Sequence, residues 1–325
     1  MKKIEINGLS QGVSQIIMGS AMFSEDNMDQ VCKIMDAYVA LGGNTVDLAN
    51  DYGAKVERAV GKWLKLRNNR DQMILIGKGA HHNQNGSRVN PSCIASDLLE
   101  SLDRVQTDYF DLFLLHRDDP TVSVGPIIDA LNEHKQAGRI KAFGTSNWSY
   151  QRIQEANDYA ALHGLSGFSC NSPNLSLAKP NEPRWAGCVS ADSSYCAWHE
   201  QQQLPLFSWS SQSAGFFTGR YSPEIREDEH MVRVYFSDDN WERLRRAEKL
   251  ALENGVSTNH IALAYVLNQP FPTCAIIGPR NVEELHSSFE ALPIQIRKDE
   301  VSWLDLTDIN GEFSGRLNQS EGTIC

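Results

Sequence analysis

The sequence predicts an α/β chain folded as a (β/α)8 barrel of the TIM type, a single domain over residues 1–325 with an N-terminal hairpin and long loops at the C-terminal face. Three observations predict it. Eight short apolar runs are each bounded by turn residues and separated by stretches with apolar residues at helical spacing, and buried strands that alternate with helices form a parallel sheet. Eight is the number that closes into a barrel, and 325 residues exceed the roughly 250 that such a barrel needs. No low-complexity stretch, linker or internal repeat divides the chain.

The elements follow in order. The surplus ahead of the first run provides the hairpin. The apolar runs at residues 16–18, 45–48, 73–76, 109–115, 142–144, 167–170, 205–209 and 274–277 read as the strands. Between them, residues 26–41 carry Val31, Ile34, Met35 and Tyr38 on one helical face. Residues 56–66, 91–102, 124–137 and 150–163 follow the same rule, with Gly138 and Gly164 as stops because glycine enters the left-handed conformation without a Cβ clash. Helices over 238–253, 258–267 and 282–290 complete the set. Two long loops are expected, at residues 174–193 and 210–238.

Composition narrows the function. Hydrophobic residues at 41% and charged residues at 22% are those of a globular chain rather than a disordered one. No apolar run reaches the roughly 18 residues of a membrane span, and the N-terminal lysines precede no apolar stretch of a signal peptide. A formal net charge of −11 argues against nucleic acid and anionic membranes, which attract basic surfaces. Seven scattered cysteines without a Cys-x-x-Cys pair suggest neither a disulfide framework nor a zinc site, and a reducing cytoplasm is expected. A metal is not expected, although His81 and His82 adjoin.

In a (β/α)8 barrel the chemistry sits at the C-terminal strand ends. Asp47 and Tyr52 follow the second strand, Lys78 the third and His116 the fourth. Each alone has a plainer reading: a turn cap, a packing ring, a solvated charge, a structural histidine. Together they converge on one mouth. A free tyrosine has a pKa near 10, and a lysine ammonium beside its oxygen is expected to lower it.

These residues lie in stretches that resemble the aldo-keto reductase family: Gly43-Asn-Thr-Val-Asp47-Leu-Ala-Asn-Asp-Tyr52-Gly53 with Glu57 and Val60-Gly61, then the segment 101–116 ending Leu-Leu-His116, Gly138-Arg-Ile-Lys-Ala-Phe-Gly-Thr-Ser-Asn147, and Ile277-Gly-Pro-Arg280. The similarity spans nearly the whole chain. It implies a catalytic tetrad of Asp47, Tyr52, Lys78 and His116, in which Tyr52 delivers a proton, Lys78 and Asp47 tune it, and His116 orients the carbonyl while a nicotinamide supplies hydride.

The resemblance also implies a cofactor site. Ser146 and Asn147 would bond the carboxamide, the plainer reading being a helix cap near Trp148. Asn171 stands where relatives carry glutamine. Trp209 would lie under the nicotinamide, and Ser210, Gln212 and the loop 215–220 with Arg220 would follow the pyrophosphate. Gly278 and Arg280 lead into a helix whose start favours phosphate, and Arg280 resembles the residue that holds the 2′-phosphate of NADP. Glu284 and Ser288 depart from the family pattern, so NADP is the first expectation and NAD the alternative.

The reading is therefore an NAD(P)H-dependent reductase of an aldehyde or ketone. The histidine-rich stretch 79–90 together with Arg184 and Trp185 reads either as the lining for a polar, sugar- or polyol-like carbonyl or as solvated loops without a substrate role, and Trp148 and Phe23 read equally as apolar walls or as core. The alternatives are a cofactor-binding regulatory subunit on the same barrel and a non-redox epimerase or lyase that retains NAD. Substrate identity, oligomeric state and physiological direction are not written in the sequence.

Overall fold

The computed structural model of the chain describes residues 1–307. Residues 308–325, which include Cys325 and the end of the expected domain, lie outside the described residues. Strands β1 (Lys3–Ile4) and β2 (Val13–Ser14) form an antiparallel hairpin. Eight parallel strands follow: β3 (Ile16–Gly19), β4 (Thr45–Asp47), β5 (Ile74–Gly79), β6 (Phe110–Leu115), β7 (Ile140–Ser146), β8 (Asn171–Ser172), β9 (Leu206–Ser208) and β10 (Thr273–Ile277). They close into a barrel because β10 pairs with both β9 and β3.

The helices are α1 (Met28–Ala40), α2 (Ala54–Arg67), α3 (Pro91–Val105), α4 (Val124–Gln136), α5 (Tyr150–Leu162), α6 (Ser193–Gln202), α7 (Glu229–Tyr235), α8 (Asp238–Asn254), α9 (Thr258–Leu267), α10 (Val282–Phe289) and α11 (Lys298–Leu304). Their starts are set by side chains that accept from orphan amides. Asn90 accepts from the Cys93 amide ahead of Pro91, Ser149 from Arg152, Ser257 from His260 and Asn281 from Glu284. Gly138 and Gly164, at φ of 73° and 66°, stand past the ends of α4 and α5 as expected.

Several elements differ from the sequence reading, among them α11, a helix beyond the last one expected. The sixth strand lies at Asn171–Ser172 rather than 167–170, although the Ser169 amide already donates to the Phe143 carbonyl. The short helix α6 was not anticipated, because its buried residues are Tyr195 and His199, a pair that makes no apolar stripe. The stretch 210–238 is not one open loop, since a 3-10 segment (Ser213–Thr218) and α7 lie within it.

Two cores hold the barrel. The larger lies between strands and helices. The smaller fills the barrel interior with Ile17, Ile74, Ile76, Leu112, Leu114, Cys170, Phe207 and Cys274, closed from one end by Ile4, Ile6 and Val13 of the hairpin segment. The hairpin is thus a plug. It seals the N-terminal end with apolar surface and leaves the C-terminal end free for polar side chains. Among the described residues, no helix is long and apolar enough to cross a membrane.

Candidate active site

Successive side chains of a strand face opposite sides, and the interior plug sets the phase. Ile74 and Ile76 point inward, and so does Lys78 two residues on. Leu112 and Leu114 are followed in the same way by His116, Cys170 by Ser172, and Phe207 by Trp209. The sequence changes from apolar to polar at the same height on neighbouring strands. That change makes the floor of a cleft of about 1540 Å³, which runs from Tyr52, Lys78 and His116 past Trp209, Ser210 and Gln212 to Gly278, Arg280, Glu284 and Ser288.

Asp47 and Lys78 are buried at 2% and 3% exposure, and the Lys78 ammonium donates to Asp47 Oδ1. The Tyr52 hydroxyl donates to Asp47 Oδ2 at 3.3 Å, with the Lys78 Nζ 5.0 Å from the Tyr52 ring centroid. Tyr52 meets His116 edge-on, their centroids 6.0 Å apart. His116 Nδ1 is buried without a hydrogen-bond partner. The structure therefore brings all four predicted catalytic residues together.

The electrostatics correct one expectation. Lys78 was expected to lower the Tyr52 pKa. Instead burial and then the Asp47 carboxylate hold the Tyr52 hydroxyl well above its ordinary range. The physical reasons are first the burial of the hydroxyl and then the order of contacts: Asp47 stands between the two, bonding the ammonium with one oxygen and the phenol with the other. Burial also lowers the Lys78 pKa against the pull of Asp47. Burial, followed by the positive charges of Lys78 and Arg117, pushes His116 well below its usual value. The resting site holds a protonated phenol and a neutral imidazole.

The residues expected to hold a cofactor divide into two groups. Ser146, Asn147, Trp209, Ser210, Gln212, Arg220, Gly278, Arg280, Glu284 and Ser288 all line the cleft. Asn171 does not. Its neighbours Cys170 and Ser172 take the inward phase, so Asn171 faces the helices, where its Oδ1 accepts from Thr145 and its Nδ2 donates to the Tyr195 hydroxyl at 2.6 Å. Ser172 occupies the cleft position instead.

Nor do Ser146 and Asn147 cap a helix, since Ser149 caps α5. Ser146 Oγ donates to the Ser172 carbonyl at 2.8 Å. Asn147, at φ 62°, donates to the His116 carbonyl and to Ser146 Oγ, and accepts from the Val189 amide. Its amide ties three strand-end segments together.

At the far end Arg280 and Glu284 face one another. The guanidinium donates to Glu284 Oε1 at 2.6 and 3.0 Å, and the Arg280 amide donates to Oε2 at 2.8 Å. Ser288 Oγ donates to the Glu284 carbonyl, and the start of α9 contributes Ser257, Thr258 and Asn259 to the wall. Asn259 Oδ1 is buried there without a partner. Sequence reasoning missed Asn259 and Arg117. Arg117 had a signal, a charged residue directly after a strand-end histidine; Asn259 had none beyond its place in a capped helix start.

Of the two readings of Trp148 and Phe23, the structure bears out the core: both pack between barrel and helices and neither lines the cleft. His81, His82, Arg184 and Trp185 do line it. Among the described residues, no group of three or more His, Cys, Asp or Glu is placed to hold a metal ion.

Comparison with known proteins gives a consistent result. A family model described as the aldo/keto reductase family matches residues 15–308. Aldo-keto reductase ausK of Aspergillus calidoustus is 28% identical over 303 residues, covering 88% of this chain and 74% of that protein. Norsolorinic acid reductase B of Dothistroma septosporum is 26% identical over 88% of this chain and 74% of its own length. A putative aryl-alcohol dehydrogenase of Saccharomyces cerevisiae, AAD14, is 26% identical over 90% of this chain and 82% of its own. The crystal structure of the thermostable aldo-keto reductase Tm1743, solved with the inhibitor epalrestat, superposes with a TM-score of 0.73 at 18% identity, covering 95% of this chain and 100% of that one; at that identity the likeness speaks for the fold.

Proposed function

The chain belongs to the aldo/keto reductase family, and from that premise we propose that it reduces a polar aldehyde or ketone with NADPH, using Tyr52 as proton donor. It is an oxidoreductase, and its named relatives support carbonyl reduction in general. The observation that carries the finer reading is the pairing, on one cleft wall, of a phenol that keeps its proton with an imidazole that stays neutral. We read residues 1–325 as one domain built for this site.

A nicotinamide dinucleotide fits the residues present. The cleft is long, it carries arginines at its outer part, and Asn259 Oδ1 is an unsatisfied acceptor in its wall. Trp209, Ser210, Gln212 and Arg220 would hold the middle of such a molecule, and Gly278 and Arg280 its phosphate-bearing end. When bound, it supplies the hydride.

The protein's own residues do the rest. His116, neutral and adjacent to Tyr52, hydrogen-bonds the carbonyl oxygen and keeps it within reach of the phenol. As negative charge grows on that oxygen, the Tyr52 proton moves to it. The phenolate that remains has the Lys78 ammonium on the other oxygen of Asp47, its Nζ 5.0 Å from the Tyr52 ring centroid, so the cation offsets part of the repulsion that Asp47 alone would exert. Asp47 fixes Lys78 and holds the Tyr52 hydroxyl between turnovers. Burial of the Asp47–Lys78 pair keeps water from weakening these contacts.

One observation favours NAD as a second reading. Glu284 already occupies the Arg280 guanidinium and amide, so a 2′-phosphate must displace a carboxylate of like charge.

The test is a titration of the purified protein with NADPH and NADH by quenching of tryptophan fluorescence, followed by assay of an aldehyde panel with the tighter cofactor. Submicromolar to micromolar NADPH binding with weaker NADH, and consumption of NADPH by at least one aldehyde, is the expected result. Preference for NADH would make Glu284 dominant over Arg280. Failure to bind either would remove the reductase reading.

A further inference from the structure

We propose that the substrate carries a carboxylate, gripped by Arg117 with Arg184 beside it; this rests on the reductase reading of the same cleft. Arg117 follows His116 directly and is only 7% exposed, yet it lines the cleft. Its Nη1 donates to the His116 carbonyl at 2.9 Å, and its Nε is buried with no hydrogen-bond partner. Most other partly buried arginines of this chain pair with a carboxylate: Arg70 with Asp111, Arg88 with Asp97, Arg104 with Glu57 and Arg152 with Asp118. Arg243, 8% exposed, also has a partnerless Nε, but both its Nη groups are taken, by Asn240 Oδ1 and the Asp305 carbonyl. No carboxylate among the described residues pairs with Arg117.

Burying an unpaired guanidinium is costly, and a charge so placed is normally matched. The match here is not within the protein. Of the neighbouring carboxylates, Asp47 takes Lys78, and Asp51, half exposed at the rim and 3.6 Å from His81, forms no ion pair with Arg117. Arg117 acts on the reacting groups, since its charge contributes to lowering His116 and Lys78. An anion that meets Arg117 where it lines the cleft is therefore close to the carbonyl being reduced.

The chain is shaped to cover this arginine. Gly187, at φ 71°, passes so near that a Cβ there would lie 3.2 Å from Arg117 Cδ. The same segment carries Arg184, whose Nη1 donates to Ser210 Oγ at 2.9 Å, whose guanidinium lies 4.6 Å from the Trp185 ring centroid, and whose Nε is again buried without a partner. Arg184 too has no carboxylate partner among the described residues. Both Nε atoms are enclosed, so an anion in the cleft meets the outer guanidinium nitrogens, and a charge-assisted hydrogen bond from them selects a carboxylate-bearing aldehyde or ketone over a neutral one.

The experiment has two arms. Calorimetry compares benzoate with benzamide, and steady-state assays compare 4-carboxybenzaldehyde with 4-carbamoylbenzaldehyde, in the wild-type protein and in Arg117→Gln and Arg117→Lys. The wild type is expected to favour the carboxylate at least about tenfold in both arms, the scale of a charge-assisted hydrogen bond. Arg117→Gln abolishes that ratio, and Arg117→Lys, which keeps the charge and loses the fork, retains part of it. Equal affinity for benzoate and benzamide in the wild type, or a ratio that survives Arg117→Gln, overturns the proposal. If Arg117→Gln does not fold, the wild-type ratio and Arg117→Lys decide. Arg184→Gln lowers the ratio by a smaller factor; an intact ratio with weakened NADPH binding would assign Arg184 to the dinucleotide and remove it from the site. Arg117-dependent benzoate binding without reduction of any aldehyde leaves the anion site standing and fells the reductase reading instead.

Discussion

The Tyr52 hydroxyl donates to Asp47 Oδ2 at 3.3 Å while the other oxygen of the same carboxylate takes the Lys78 ammonium. One aspartate thus keeps both a proton and a cation in place. A phenol held in this way is a reservoir of one proton rather than a base. Tyr52→Phe removes the proton and little else, because the ring is unchanged. Turnover of the best aldehyde is expected to fall by about 10²–10⁴-fold, the usual scale of general acid catalysis. NADPH affinity, read by tryptophan fluorescence, is expected to stay within a factor of about two of the wild type. Retained turnover would assign the proton to another group.

Asp47 also bears on folding. It and Lys78 are both buried, and removing one member leaves the other as an uncompensated charge. Lys78→Met is expected to destabilise the protein by about 3–5 kcal/mol, and Asp47→Asn by a similar amount. The double variant Asp47→Asn with Lys78→Met should recover part of the loss, since neither charge remains. Urea unfolding of the three proteins checks this, and additive losses would mean the pair does not interact.

The barrel was legible because its strands are apolar where they cross the plug and polar where they emerge. Ile74-Leu-Ile-Gly-Lys78 and Leu112-Phe-Leu-Leu-His116 show the change directly, so Lys78 and His116 could be placed with no structure. Asn171 failed by one residue. Inward and outward faces alternate with period two, so a strand ending assigned at residue 170 rather than 172 gives no phase by which to orient it. Arg117, despite its signal beside His116, and Asn259 were passed over for another reason. Their significance is the lack of a partner, and partners come from strands and helices distant in the chain. The direction of the Tyr52 pKa was missed for a related cause: the burial of its hydroxyl and its contact with Asp47 are set by the packed barrel and not by the local sequence.

The Arg280–Glu284 pair separates cofactor choice from stability. Its members are 61% and 37% exposed, and solvent screens a pair so exposed, so it contributes little to folding. Its effect on a bound phosphate is larger, because the carboxylate competes for the same guanidinium. Glu284→Gln is expected to leave the melting temperature within a few degrees of the wild type and to raise affinity for NADPH over NADH by about tenfold. Parallel fluorescence titrations with the two cofactors give the ratio. An unchanged ratio would place the 2′-position elsewhere than Arg280.

Outside the cleft, His199 makes the stability depend on pH. It is fully buried; its Nδ1 lies 2.8 Å from the Leu204 carbonyl, and its Nε2 3.3 Å from Asn171 Nδ2. The first contact requires a proton on Nδ1 and the second a lone pair on Nε2, so the neutral ring satisfies both. Protonation would turn Nε2 toward another donor. Burial accordingly lowers the pKa from 6.5 to about 4. The unfolded chain, with the ordinary value, binds the proton more readily between these limits. The His199 contribution is therefore full above about pH 6.5 and is lost as the pH falls toward about 4, and the shift corresponds to at most about 3 kcal/mol. In His199→Gln the protein is less stable at pH 7, and the part of the stability–pH slope between 4 and 6.5 that belongs to His199 is gone. Denaturant midpoints measured at half-unit intervals across that window test the claim, and an unaltered slope in the variant would assign the acid sensitivity to other groups such as His116.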